Sequence, residues 1–133
     1  MIVVYEDGHG SSVPDDYALT PEDGTKSALV SDELWNYYAH TKYGVGWEIK
    51  YHKFIQLEPL ETVKGYISSL ESILLLEEYL ADTDYIITKI QEAQVEYPEE
   101  VEELRTRYAT ELENRRTARA GINQLQQEYA KFY

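Results

Sequence analysis

The sequence predicts an α+β protein: a small N-terminal antiparallel sheet with one helix, followed by a long C-terminal antiparallel helical hairpin. Three observations predict it. Apolar residues alternate with polar ones across residues 45–51, the pattern of a half-buried strand. From Val63 to Phe132 they recur at steps of three and four, the pattern of helices packed along their length. Pro98 divides that second stretch into two limbs, and limbs joined at a proline corner fold back on each other. The expected domains are residues 1–57, a small α+β unit, and residues 58–133, the hairpin.

Taken in order, Ile2 to Tyr5 is β-branched and aromatic and reads as a strand. Asp7-Gly8 and Gly10-Ser11-Ser12 carry turn chemistry, and the polar stretch from Pro14 to Thr25 reads as a loop. Ser31 is a candidate N-cap with Asp32 and Glu33 in the first turn, where acids suit the helix dipole. That helix is expected to run from about Asp32 to Lys42 and to be terminated by Gly44, with Leu34, Trp35, Tyr38 and Ala39 facing inward. Val45, Trp47, Ile49 and Tyr51 then alternate, His52-Lys53 turns, and Phe54 to Leu57 returns. A lone hairpin is marginal in water, so the first strand or a partner must complete this sheet.

Pro59 opens the helical part, a position where proline is tolerated. Val63, Ile67, Leu70, Leu74 and Leu80 form the first stripe, and Ile86, Ile90, Ala93 and Tyr97 extend it. Ala81-Asp82-Thr83-Asp84 is expected to interrupt this limb, with Asp82 or Thr83 capping a fresh start. After Pro98 the acids Glu99, Glu100, Glu102 and Glu103 crowd the first turn. Residues 98–133 then read as a single rod of about 50 Å. Its core positions are Val101, Leu104, Tyr108, Glu111, Arg115, Ala118, Ile122, Leu125, Tyr129 and Phe132.

Glu111 and Arg115 break that apolar series, and Arg119 follows one turn later. Side chains four apart on a helix are neighbours, and a buried arginine needs a carboxylate. Asp82, Asp84 and Glu92 are the candidate partners on the preceding limb. One reading is a structural ion-pair network that sets the register of the hairpin. Another is an anion pocket of Arg115, Arg116 and Arg119 holding a phosphate-bearing ligand. A third is a solvated face.

Composition narrows the function classes. Twelve Lys and Arg face 25 Asp and Glu, a net charge of −13. Such a field repels phosphates, so direct nucleic-acid binding is not expected; an acidic decoy blocking a basic groove remains open. All the arginines lie in the final limb, at 105, 107, 115, 116 and 119, whereas acid is general. Thirteen tyrosines stand against two phenylalanines, which suits interfaces and half-buried surfaces alike. The absence of cysteine excludes a disulfide or thiolate site. No basic leader or membrane-spanning run is read; the longest internal apolar run is Ile73-Leu74-Leu75-Leu76.

Catalytic signals are thin. His9, His40 and His52 lack metal-ligand spacing, and Gly8-His9-Gly10 and Gly44-Val45-Gly46 do not open a helix after a strand. No catalytic residue, metal or cofactor is expected. Tyr129, Phe132 and Tyr133 carry the stripe to the chain end, which predicts self-association through those rings.

Two segments carry a resemblance. Residues 76–93 hold Leu80, Thr83, Asp84, Tyr85, Lys89 and Glu92; residues 115–125 hold Arg115, Arg119, Ile122, Asn123 and Leu125. Together they resemble the C-terminal helical hairpin of small proteins encoded in bacteriophage tail-fibre modules. Gly46-Trp47-Glu48-Ile49-Lys50 with Lys53-Phe54 resembles the short hairpin that precedes it in tail-fibre assembly proteins. The resemblance covers about half the chain. It implies a non-enzymatic phage protein acting by protein–protein interaction, either a tail component or a fibre-assembly chaperone. The implied partner is a phage fibre protein or a second copy, in the host cytoplasm during assembly or in the virion. The alternative is a phage inhibitor of host defence, acting as a nuclease decoy or as a nucleotide sponge using Arg115, Arg116 and Arg119.

Overall fold

A computed structural model describes residues 1–133. The architecture is α+β, with small antiparallel sheets preceding a long helix that packs on a later one. The chain forms two compact units. The first comprises Met1–Ser68 with Ala130–Tyr133, the second Ser69–Tyr129.

The first unit holds two sheets. Strands β1 (Ile2–Tyr5), β2 (Gly10–Ser12) and β3 (Ser27–Val30) form one, in the order β2-β1-β3 and antiparallel throughout. Strands β4 (Trp47–Lys50) and β5 (Lys53–Gln56) form the other. Helix α1 (Asp32–Tyr38) lies between β3 and β4 in the chain. Its N-cap is the expected Ser31, whose hydroxyl accepts from the Leu34 N–H at 3.2 Å.

Two strands depart from expectation. Gly10–Ser12 pairs as β2, because the turn is completed earlier: Gly8, at φ 88°, donates to the Tyr5 carbonyl, and the Tyr5 N–H reaches His9 O. β3 supplies the partner that β1 needs, pairing Val3 with Leu29 and Val4 with Ala28. The β4–β5 turn sits at Tyr51-His52 rather than His52-Lys53. Both residues have positive φ, 53° and 59°, the backbone that a two-residue hairpin turn demands.

Trp47 and Tyr38 anchor the core of this unit, both fully buried with Val4, Ala28, Val30, Ile49 and Val63. Trp47 stacks on Phe54 at 5.4 Å and meets Trp35 and Tyr43 edge-on. Tyr38 donates its hydroxyl to the Glu58 carbonyl at 2.5 Å and lies edge-on to Phe54. Gly46 is buried with no room for a side chain, since a Cβ there would overlap Thr41.

Helix α2 (Leu60–Glu96) runs unbroken for 37 residues. The expected boundary at residue 57 is therefore corrected. Val63 belongs to the first unit's core, with Leu60 and Ile67 against it, and the division falls inside α2 after Ser68. The interruption expected over residues 81–84 is absent; all four are helical.

In the second unit, α2 is followed by a 3₁₀ turn at Pro98–Glu100, then α3 (Val101–Arg107) and α4 (Ala109–Glu128). The proline corner is present: Tyr97 leaves the helix at φ −138°, ψ 61°. The single rod expected over residues 98–133 is instead stepped. Tyr108, at φ −104°, ψ 20°, separates α3 from α4. Its N–H still donates to Leu104 O and its carbonyl still accepts from Leu112 N–H, so the helix is offset rather than ended. Gly121 faces Leu76, Arg115 faces Leu80 to Asp84, and Tyr108 faces Lys89. Residue numbers rise on one limb as they fall on the other, so the two are antiparallel.

Candidate functional site

The seam of the hairpin places each polar group. On the last limb, every expected core position from Val101 to Phe132 is buried or half-buried. On α2 the buried series is Ser69, Ile73, Ile86, Ile90 and Ala93, with Leu76, Leu80, Thr83 and Ile87 half-buried. The stripe expected through Leu74 is corrected by one residue. Within the run 73–76 a step of three from Leu70 reaches Ile73, and Leu74 is left 56 % exposed. That register makes Thr83 a seam residue.

Arg115 crosses this seam. Its side chain is only 4 % exposed. Nη1 donates to the Leu80 carbonyl at 2.7 Å and to the Thr83 hydroxyl at 2.6 Å, and Nη2 donates to Asp84 Oδ1 at 2.8 Å. The Thr83 hydroxyl itself donates to the Tyr79 carbonyl at 2.7 Å, a bond of the kind helices accommodate without breaking. Residues 81–84 resemble a cap in sequence because they carry short polar side chains. In the folded hairpin two of them, Thr83 and Asp84, receive an arginine.

Of the expected ion-pair network, the structure brings together Arg115 and Asp84 alone. Glu111 is half-buried and Arg119 is exposed, and neither forms an ion pair; Asp82 and Glu92 face solvent, also without one. The i, i+4 proximity of Glu111 and Arg115 does not become a bond, because the guanidinium reaches across to α2. The missing member of the site, Thr83, was discoverable from its three- and four-residue spacing to Leu80 and Ile87.

The three arginines of the expected anion pocket, Arg115, Arg116 and Arg119, line one hollow. Arg115 is engaged inside the fold, leaving Arg116 and Arg119 to face outward. With Arg115 at its wall, these two flank a hollow of about 420 Å³ over Ile87, Gln91 and Leu112. An adjoining hollow of about 440 Å³ shares Ile87, Leu112 and Arg116 and extends to Ile90, Ala109 and Arg105. The result is a groove with an apolar floor and an arginine rim. Arg116 pairs with Glu113 at 3.0 Å and Arg105 with Glu102 at 3.6 Å, both exposed, and such pairs hold an arginine weakly.

On the opposite edge of the hairpin Lys89 lies 5.7 and 5.8 Å from the ring centres of Tyr85 and Tyr108, with its Nζ 3.4 Å from the Tyr108 hydroxyl. In the first unit, Asp23 accepts from the Thr20 N–H at 2.8 Å and from the Tyr17 and Tyr5 hydroxyls at 2.7 and 3.0 Å. The Thr20 N–H bond first, and then the Tyr17 hydroxyl, hold its carboxyl down at about 2. The same carboxylate raises both tyrosines. This cluster closes the loop between β2 and β3.

Of the terminal rings expected to carry self-association, Phe132 is taken up inside the first unit. Phe132 is 2 % exposed and stacks on Tyr66 at 4.5 Å, with Tyr133 edge-on to the same ring. Tyr129 is half-buried, and Tyr133 alone is largely open. The three histidines have separate surroundings: His9 beside Ser11, His52 beside the Ser27 carbonyl, His40 at an exposed position. No group of three His, Asp or Glu side chains gathers in a metal-holding arrangement. No helix is long and apolar enough to cross a membrane. No protein family, curated protein or solved structure matches the chain.

Proposed function

We propose that the chain is a non-enzymatic bacteriophage protein that works by binding other proteins, as a tail or tail-fibre component or a fibre-assembly chaperone. The observation that carries the binding reading is the outer surface of the second unit. Leu74, Leu75, Tyr85, Val95 and Tyr97 are each about half or more exposed, on a hairpin whose inner seam is already filled. Leu74 and Leu75 are adjacent, and contiguous exposed apolar side chains mark interaction sites. The phage setting is supported by the segments around Thr83-Asp84-Tyr85 and Arg115 to Asn123 quoted above. Partners on this reading are a fibre protein and a second copy of the chain, met in the host cytoplasm during assembly or in the virion.

The experiment is co-expression with a phage tail-fibre protein, scored by soluble, assembled fibre. An increase over fibre expressed alone is expected; no change in yield or assembly would count against the fibre role. The groove beside Arg116 and Arg119 favours a second reading, sequestration of a nucleotide. Thermal unfolding with a panel of nucleotides separates the two, because a ligand of the folded state raises the midpoint by mass action. On the assembly reading no nucleotide moves it.

A further inference from the structure

We propose that the arginine-rimmed groove of the hairpin receives the acidic outer face of α2 from a second copy of the chain. This rests on the protein-binding reading above, though not on the fibre setting.

The groove offers an apolar floor as well as cations. Its floor is Ile87, Ile90 and Leu112, and its cations stand at the rim, in Arg105, Arg116 and Arg119. That arrangement fits a helix whose outer face carries apolar side chains and carboxylates together. In a chain of net charge −13, arginines concentrated along one groove also discriminate strongly for an acidic occupant.

The same unit carries such a surface. Leu74 and Leu75 are 56 % and 66 % exposed. Glu71, Glu78 and Asp82, also exposed, stand at helical spacings of three, four and seven from them, on the strip of helix between the two leucines. These residues lie on the side of α2 turned away from the seam series of Ile73, Leu76, Leu80 and Thr83. Groove and ridge are therefore separate surfaces, and each copy can offer both at once. Contact of this kind is heterologous: the groove of one copy holds the ridge of the next, and the assembly grows head to tail. The overall negative charge opposes it, so the arginine–carboxylate contacts supply the specificity and the leucines the burial.

Sedimentation velocity of the full chain, from about 5 to 500 µM, tests this in a range where micromolar contacts are visible. The groove variant is Arg116→Glu with Arg119→Glu; the ridge variant is Leu74→Asp with Leu75→Asp. All four positions are exposed. Wild type is expected to grow in mass with concentration, and each variant alone to remain a monomer. An equimolar mixture is expected to form a one-to-one dimer and stop there, because the groove variant keeps its ridge and the ridge variant keeps its groove. Formation of that dimer also shows that both variants are folded. A wild type that stays monomeric throughout, a single variant that associates like wild type, or a mixture that fails to pair would each overturn the proposal. No fibre protein is present, so this outcome is independent of the co-expression result.

Discussion

Arg115 donates to the hydroxyl of Thr83 at 2.6 Å, across the seam of the hairpin and more than thirty positions away in the chain. The same guanidinium holds the Leu80 carbonyl and the Asp84 carboxylate. Three donations into one turn of α2 fix the limbs in a single register, as a polar residue at a core position commonly does. The arginine is almost wholly enclosed while Asp84 is 67 % exposed. The two partners therefore respond differently to substitution. Removing Arg115 leaves Asp84 in water; removing the carboxylate leaves a buried cation without its mate.

Arg115→Met, which keeps the packing volume and removes the charge, is expected to cost under about 1 kcal/mol, because apolar replacements of buried ions are often close to neutral. Asp84→Ala is expected to cost more, about 1–2 kcal/mol, discounted from the fully buried case because water reaches the site. Urea unfolding measures both, and the reverse order would show that the arginine is not dependent on Asp84.

Gly46→Ala is expected to destabilise the first unit by about 2–3 kcal/mol, the cost of forcing a methyl group into a filled site. The added Cβ would overlap Thr41. The backbone has little freedom to retreat, since the Gly46 N–H donates to Lys42 O and its carbonyl accepts from Leu57 and Glu58. Near-ultraviolet circular dichroism, which reports the packing of Trp47 and its neighbours, should lose its melting cooperativity first.

Tyr51→Asn is expected to stabilise the protein by about 0.5–1 kcal/mol, because asparagine tolerates left-handed backbone better than tyrosine. Tyr51 is 85 % exposed at φ 53°, so little packing is lost. His52 is the poorer choice, since its ring contacts the Ser27 carbonyl at 3.1 Å. A thermal midpoint that falls for Tyr51→Asn would mean that the ring holds the turn in a way its exposure does not reveal.

The pH dependence follows from Asp23. Its folded value of about 2 lies below the ordinary 3.8, so the carboxylate form is favoured by folding. The stability it contributes is complete above about pH 4 and is lost as pH falls toward 2. Acid titration followed by the Tyr5 and Tyr17 ring signals should show the loop opening in that window. In Asp23→Asn the step should vanish.

Phe132→Ala is expected to cost about 3 kcal/mol, as for other buried aromatic rings, without altering the state of association. Its ring is taken up by Tyr66. A change in sedimentation at unchanged stability would restore the terminal rings as an intermolecular surface.

The helical periodicity was legible because heptad spacing survives without knowledge of the partner. All ten expected core positions of the last limb are buried or half-buried. The strand pattern around Trp47 was legible for the same reason. What was not legible depended on pairing. Ser27–Val30 is short and its role comes from β1, which lies far away in sequence. The run Ile73-Leu74-Leu75-Leu76 is apolar at every position, so apolarity could not choose its inward face. Residues 81–84 carry the side chains of a helix cap, and only the arrival of Arg115 shows why they stay helical. The site was half legible: a buried arginine needing a carboxylate pointed to Asp84, while nothing local to Glu111 or Arg119 showed that they would stay out of the network.

The central claim is that Arg115 serves the fold through its contact with Asp84. The most direct measurement is a double-mutant cycle in urea with Arg115→Met, Asp84→Asn and the pair. A coupling of at least about 1 kcal/mol is predicted, with the double variant more stable than Asp84→Asn alone. Coupling below about 0.3 kcal/mol, which is the level at which independent sites simply add, would contradict it.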